Sequence, residues 1–128
     1  MNEAYSVLVV DDDAASIFLT KMLLKRLGVT KGVITASNGL EALNIIKETP
    51  AAQPLPRLII LDIKMPVMDG YTFLDELRKL MHLDLSQTKI VLLSSSRSPQ
   101  DITKSNNYNV VGYIEKPIKQ DELKSLLA

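Results

Sequence analysis

The sequence predicts an α/β protein, a doubly wound three-layer sandwich with helices on both faces of a five-stranded parallel sheet. Three observations lead there. Five short apolar runs alternate with segments of helical periodicity along the chain, the pattern of right-handed βαβ units. The runs at 7–10, 58–61 and 90–93 are nearly unbroken Val, Leu and Ile, as strands buried on both faces require. A length of 128 residues with a 46% apolar share suits one domain, 1–128, around one core.

The other two runs, at 33–36 and 112–114, are shorter and more mixed, which puts them nearer the sheet edges. Between the runs the helices follow in order. Ile17, Leu19, Leu23, Leu24 and Leu27 recur at helical spacing, and Gly28 is a C-terminal stop. Asn38 caps a second helix carrying Leu40, Leu43 and Ile46. Tyr71, Phe73, Leu74, Leu77 and Leu80 mark a third, fed by a turn at Asp69 and Gly70. Ser98 and Pro99 start a fourth, whose Asp-Ile-Thr-Lys-Ser-Asn-Asn stretch has little apolar surface. The fifth runs from Lys119 to the end through Leu123, Leu126 and Leu127. The proline-rich stretch 50–56 reads as a loop inside the domain.

Composition removes several classes of function. Lys and Arg balance Asp and Glu at 15 each, so there is no basic footprint for nucleic acid and no polybasic membrane patch. The absence of cysteine excludes a disulfide framework, a thiolate nucleophile and a Cys-based metal site. No signal peptide is expected from the N-terminal residues, and no apolar run is long enough to span a bilayer. A cytoplasmic location is the expectation.

In open α/β sheets the ligand site lies beyond the carboxyl ends of the strands. Asp11, Asp12 and Asp13 follow the first run, Asp62 the third, and Ser94, Ser95 and Ser96 the fourth. Lys116 comes shortly after the fifth. Acids, hydroxyls and one lysine would thus gather at one edge, a site for a hard cation and an anion. Mg²⁺ takes oxygen ligands and relieves the repulsion among packed carboxylates. Lys116 and a serine hydroxyl would take the remaining phosphate oxygens. A carboxylate can itself be the nucleophile in phosphoryl transfer.

Four pieces of the chain resemble the receiver domain of bacterial response regulators. They are VLVVDDD at 7–13, LDIKMPVMDG at 61–70, VLLSS at 91–95 and GYIEKP at 112–117. They come in the family's order and spacing and span nearly the whole chain. The resemblance implies a flavodoxin-like strand order, 2-1-3-4-5. It implies that Asp62 is the phosphoacceptor, and that Mg²⁺ is bound by Asp12 directly, by Asp11 largely through water, by Asp62, and by the backbone carbonyl of Lys64. Ser94 matches the switch hydroxyl, Tyr113 the switch aromatic, and Lys116 the lysine of the family pattern. Family members usually have a cis peptide before the proline that is Pro117 here, which would aim Lys116 into the site. Lys64 and Ser96 occupy positions that tune phosphoryl lifetime. The implied donor is a histidine kinase or phosphotransfer protein, since His82, the only histidine, lies away from the strand ends. The implied output is a protein target on the face of the fourth helix, fifth strand and fifth helix. Direct contact with nucleic acid or membrane is not expected. Such a chain is no enzyme beyond catalysing its own phosphorylation and dephosphorylation.

Two rival readings use the same residues. VLVVDDD also fits the start of haloacid-dehalogenase phosphatases, with Asp11 as nucleophile and Asp13 as acid/base. That reading leaves Asp62 and its Met-Pro-x-x-Asp-Gly tail unexplained, and no acidic pair follows Lys116 to complete the metal site: Asp121 and Glu122 belong to the last helix. A pseudo-receiver, a pure interaction module, is opposed by the complete set Asp11, Asp12, Asp62, Ser94 and Lys116. Taken singly, Asp13 reads as a helix start, and Met22, Met65, Met68 and Met81 read as packing.

Overall fold

The computed structural model describes residues 6–80, 82–95 and 98–128, so Met81 lies outside the described residues. Strand and helix alternate in the order β1 (Val7–Val10), α1 (Ala14–Arg26), β2 (Val33–Ala36), α2 (Gly39–Lys47), β3 (Leu58–Asp62), α3 (Gly70–Arg78), β4 (Lys89–Ser94), α4 (Pro99–Ser105), β5 (Gly112–Glu115) and α5 (Gln120–Leu127). The sheet is parallel, with five strands in the order β2-β1-β3-β4-β5. The two mixed runs are therefore the edges, and the three Val/Leu/Ile runs lie inside.

Side chains alternate across a strand, and the core divides accordingly. Leu8, Val10, Ile59, Leu61 and Leu92 face α2 and α3, packing on Leu43, Ile46, Phe73 and Leu77. Val7, Val9, Ile60, Val91 and Leu93 face α1 and α5, against Leu23, Leu24 and Leu123. Ile60 is 1% exposed, and cutting such a side chain to alanine costs about 2–5 kcal/mol.

Side-chain caps fix where three helices begin. Asp13 accepts from the Ala15 amide at 3.0 Å, Asn38 from Glu41 at 2.8 Å, and Asp69 from Thr72 at 2.8 Å. Each satisfies an otherwise unpaired amide, worth about 1 kcal/mol. Gly28, at φ 90°, follows the end of α1. Two sequence expectations shift. α3 ends at Arg78, so Leu80 lies beyond it and packs from the following turn. Leu40 is 41% exposed, because α2 buries the stripe Gly39, Ala42, Leu43 and Ile46, and Leu40 sits one step round the helix from it. α4 buries only Ser105.

Candidate functional site

Strand register builds the site. Val10 pairs with Leu61, so the next residues, Asp11 and Asp62, leave neighbouring strands side by side. Asp62 pairs with Leu93, one step before Ser94. Ser94 pairs with Glu115, and its carbonyl accepts from the Lys116 amide at 2.8 Å. The residues that end the central strands and follow β5 thus converge on one sheet edge.

Asp11, Asp12 and Asp62 each offer a carboxylate oxygen, all within 4.8 Å of one another. Asp11 and Asp62 are buried, while Asp12 is exposed. The Lys116 ammonium lies 3.0 Å from one Asp11 oxygen, 3.2 Å from the other and 3.6 Å from Asp62 Oδ2. Asp11 Oδ1 also accepts from the Asp13 amide at 2.9 Å, and Asp62 Oδ1 from the Ile63 amide at 2.9 Å. Asp62 Oδ2 is thus the oxygen turned towards Lys116.

This crowding has an electrostatic cost. Burial, and then the charge of Asp11, raises Asp62 from 3.8 to about 7, against the lowering effect of Lys116. Burial alone pulls Lys116 down, yet its hydrogen bond to Asp11 and the charges of Asp11 and Asp62 leave it raised. Burial and a neighbouring carboxylate both disfavour the charged form of Asp62, and a dication bound among the three acids would favour it. Three clustered carboxylates are the hard oxygen donors that Mg²⁺ takes, so the residues present fit the ion.

The other sequence-predicted residues fall around this group. Ser94 is buried at the end of β4. Tyr113 is half-buried on β5, opposite Leu92; Ser94 lies two residues beyond Leu92, so Ser94 and Tyr113 share a sheet face. Lys64 has an exposed side chain two residues past Asp62. The Lys116–Pro117 peptide is cis. Asp13 serves as the N-cap of α1 and stands outside the carboxylate cluster. Ser96 lies outside the described residues. His82 is exposed in the loop after α3.

Sequence reasoning missed what holds the loop after Asp62. A β-carbon on Gly70 would sit 2.5 Å from the Asp62 carbonyl oxygen, and the Gly70 amide donates to the Ile63 carbonyl at 2.7 Å. The loop therefore closes only with glycine there. A β-carbon on Gly39 would sit 2.7 Å from the Met68 carbonyl oxygen, which lets α2 dock on the same loop. Val67 adopts φ 70°, a left-handed conformation that β-branched residues rarely accept. The Met-Pro-x-x-Asp-Gly motif was the available signal for Gly70; nothing in the sequence marked Val67.

The fourth helix also has a tether that its own residues do not show. Tyr71 of α3 donates its hydroxyl to the Asp101 carbonyl at 2.6 Å. Its ring stacks on Tyr108 with centroids 5.1 Å apart, and Lys104 lies 4.7 Å over it. Burial, with the neighbouring Tyr113, Asp101 and Tyr108, pushes Tyr71 up to about 12. Tyr108 in turn donates to Asp75 at 2.9 Å.

Comparison with known proteins agrees with this geometry. Residues 7–128 match the family model of the response regulator receiver domain. The chain is 32% identical over 123 residues to the sensor histidine kinase CheAY of Helicobacter pylori, which covers 96% of this chain and 14% of that kinase. It thus spans only a small part of that relative. A two component response regulator from Cytophaga hutchinsonii superposes with a TM-score of 0.86 at 29% identity, over 95% of this chain and 92% of that one. The phosphorylated cyanobacterial phytochrome response regulator RcpA superposes with a TM-score of 0.78 at 28% identity, over 95% and 88%.

Proposed function

The chain belongs to the response regulator receiver domain family of two-component signalling, and on that premise we propose that it accepts a phosphoryl group on Asp62 and signals by changing shape. The observation that carries this reading is the position of Asp62: buried at a strand end, within 4.8 Å of Asp11 and Asp12 oxygens and 3.6 Å from Lys116. The donor is a histidine kinase or phosphotransfer protein. Asp62 Oδ2, the oxygen not held by the Ile63 amide, attacks phosphorus. The new P–O bond forms as the P–N bond of the donor phosphohistidine breaks, and the electron pair leaves with the imidazole. RcpA, a relative in fold, is named as phosphorylated.

Asp12, Asp62 and the Lys64 carbonyl would hold Mg²⁺, with Asp11 acting through water, and the bound ion would supply positive charge to offset the carboxylates and the transferring phosphoryl oxygens. Lys116 is already drawn to Asp11 and Asp62, and it pairs with a phosphoryl oxygen once Asp62 carries one. Ser94 donates its hydroxyl to another, a charge-assisted bond stronger than a neutral one. That pull frees space on the shared sheet face, and the Tyr113 ring moves into it. The target binds the face of α4, β5 and α5. Lys64 and Ser96 tune the lifetime of the phosphoryl group.

The haloacid-dehalogenase reading needs Asp13 as acid/base, but Asp13 caps α1. A receiver of this kind works in the cytoplasm, and among the described residues no helix is long and apolar enough to cross a membrane. Incubation with acetyl phosphate and Mg²⁺, followed by intact mass measurement and site mapping, tests the proposal.

A further inference from the structure

Among the described residues, α1 and α5 leave part of their face of the sheet open beside β2. Among the described residues β2 is an edge strand, bonded only to β1, and its Val33 packs on that face. Between Val33 and the flank of α1 runs an open groove of about 710 Å³. Ile17, Phe18 and Met22 give it apolar walls, and among the described residues its only charged lining residues are Lys21 and Lys25. Phe18 is 70% exposed, a large apolar surface left in water next to a concave floor.

Phe18, Lys21 and Lys25 lie at i, i+3 and i+7, so they form one stripe along α1. An apolar channel beside a helix, rimmed by lysines four residues apart, has the shape and charge to receive a second helix. Helix-in-groove recognition takes an apolar stripe at i, i+3, i+4 and i+7, and the lysine rim selects acidic residues beside it. A second copy of α1 does not fit, because its sequence AASIFLTKMLLKR carries no acid and pairing would set lysine against lysine. A membrane surface fits less well, since the apolar residues line a concavity and do not crown a convex face.

We propose that the α1–β2 groove docks an amphipathic helix of a partner protein whose apolar stripe is flanked by Asp or Glu. The groove lies at the β2 edge of the sheet, opposite the β5 edge, so this partner binds without displacing a target held at α4, β5 and α5. The proposal does not depend on phosphorylation of Asp62.

A displayed library of three-helix bundles with one randomised helix face tests it, selected against the intact chain. Counter-screening uses Phe18→Ala and the double variant Lys21→Glu/Lys25→Glu, both at exposed positions and both checked by thermal melting. The expected winners carry an apolar stripe flanked by Asp or Glu. They bind either variant about tenfold or more weakly, and they perturb amide signals of α1 and β2 in the parent protein. Four results would overturn the proposal: no binder that discriminates the variants, winners without acidic flanks, amide shifts mapping elsewhere, or Phe18-dependent binding to anionic phospholipid vesicles in place of helix binding.

Discussion

Lys116 Nζ sits 3.0 Å from Asp11 and 3.6 Å from Asp62, so one ammonium bridges two acids that leave adjacent strands. With its side chain 17% exposed and that of Asp11 2% exposed, the bridge is poorly screened. Removing the cation leaves a buried carboxylate uncompensated. Lys116→Gln is expected to lower stability at neutral pH by about 2–4 kcal/mol without metal, and to slow labelling by acetyl phosphate about 10²-fold. Urea unfolding in chelator and a labelling time course check both. Unchanged stability would show that the pair is not a structural contact.

The pH dependence follows from Asp62. Its carboxyl is raised from 3.8 to about 7 in the folded protein, so the native state keeps a proton that the unfolded chain gives up. Stability contributed by this group is present below about pH 4 and is lost as pH rises through about 7. In chelator, Asp62→Asn is therefore expected to match the parent at pH 4 and to exceed it at pH 8 by on the order of 2 kcal/mol. Denaturation midpoints across that range measure it. Parallel curves for the two proteins would contradict the assigned shift.

Much of this was legible beforehand, for a physical reason. A strand buried on both faces has to be apolar throughout, so the charged residue ending each run stands out. That is why Asp62 and Ser94 were readable without coordinates, and why Val10 followed by Asp11 marked a strand end. The helix starts at Asp13 and Asn38 were equally legible, since each acts within its own segment, whereas Asp69 reads as a turn residue and the structure makes it the cap of α3. What was hidden depends on distant partners. Tyr71 read as one more apolar position of α3, and only the fold brings it to Asp101 and Tyr108. Nothing in the sequence sets Phe18 apart, because the flank beside β2 is a property of the whole sheet. The left-handed turn at Val67 had no sequence mark, since valine is a poor residue for it.

The loop after Asp62 gives two substitutions of opposite sign. Gly70→Ala places a β-carbon 2.5 Å from the Asp62 carbonyl oxygen, and it is expected to cost about 2–3 kcal/mol and reduce labelling. Val67→Asn relieves a β-branched residue at φ 70° on an exposed turn, and it is expected to add about 1 kcal/mol. Thermal melts compare the two. A stable Gly70→Ala with full labelling would show that the loop has room to shift.

The tyrosine tether predicts how firmly α4 is held. Since α4 buries only Ser105, the Tyr71 hydroxyl on the Asp101 carbonyl is a large part of its attachment. Tyr71→Phe is expected to lower the opening free energy of α4 by about 1 kcal/mol, seen as roughly fivefold faster amide exchange there. Exchange confined to parental rates would place the attachment elsewhere.

The central claim is that Asp62 is the acceptor and that a divalent cation beside Asp11 and Asp12 is required. Its most direct test is intact mass spectrometry after incubation with acetyl phosphate, with Mg²⁺ or with chelator, on the parent chain and on Asp62→Asn. The expected result is one added phosphoryl group on the parent, only with Mg²⁺, mapped to Asp62, and none on the variant. Undiminished labelling of Asp62→Asn, mapped to Asp11 or any other residue, would contradict it.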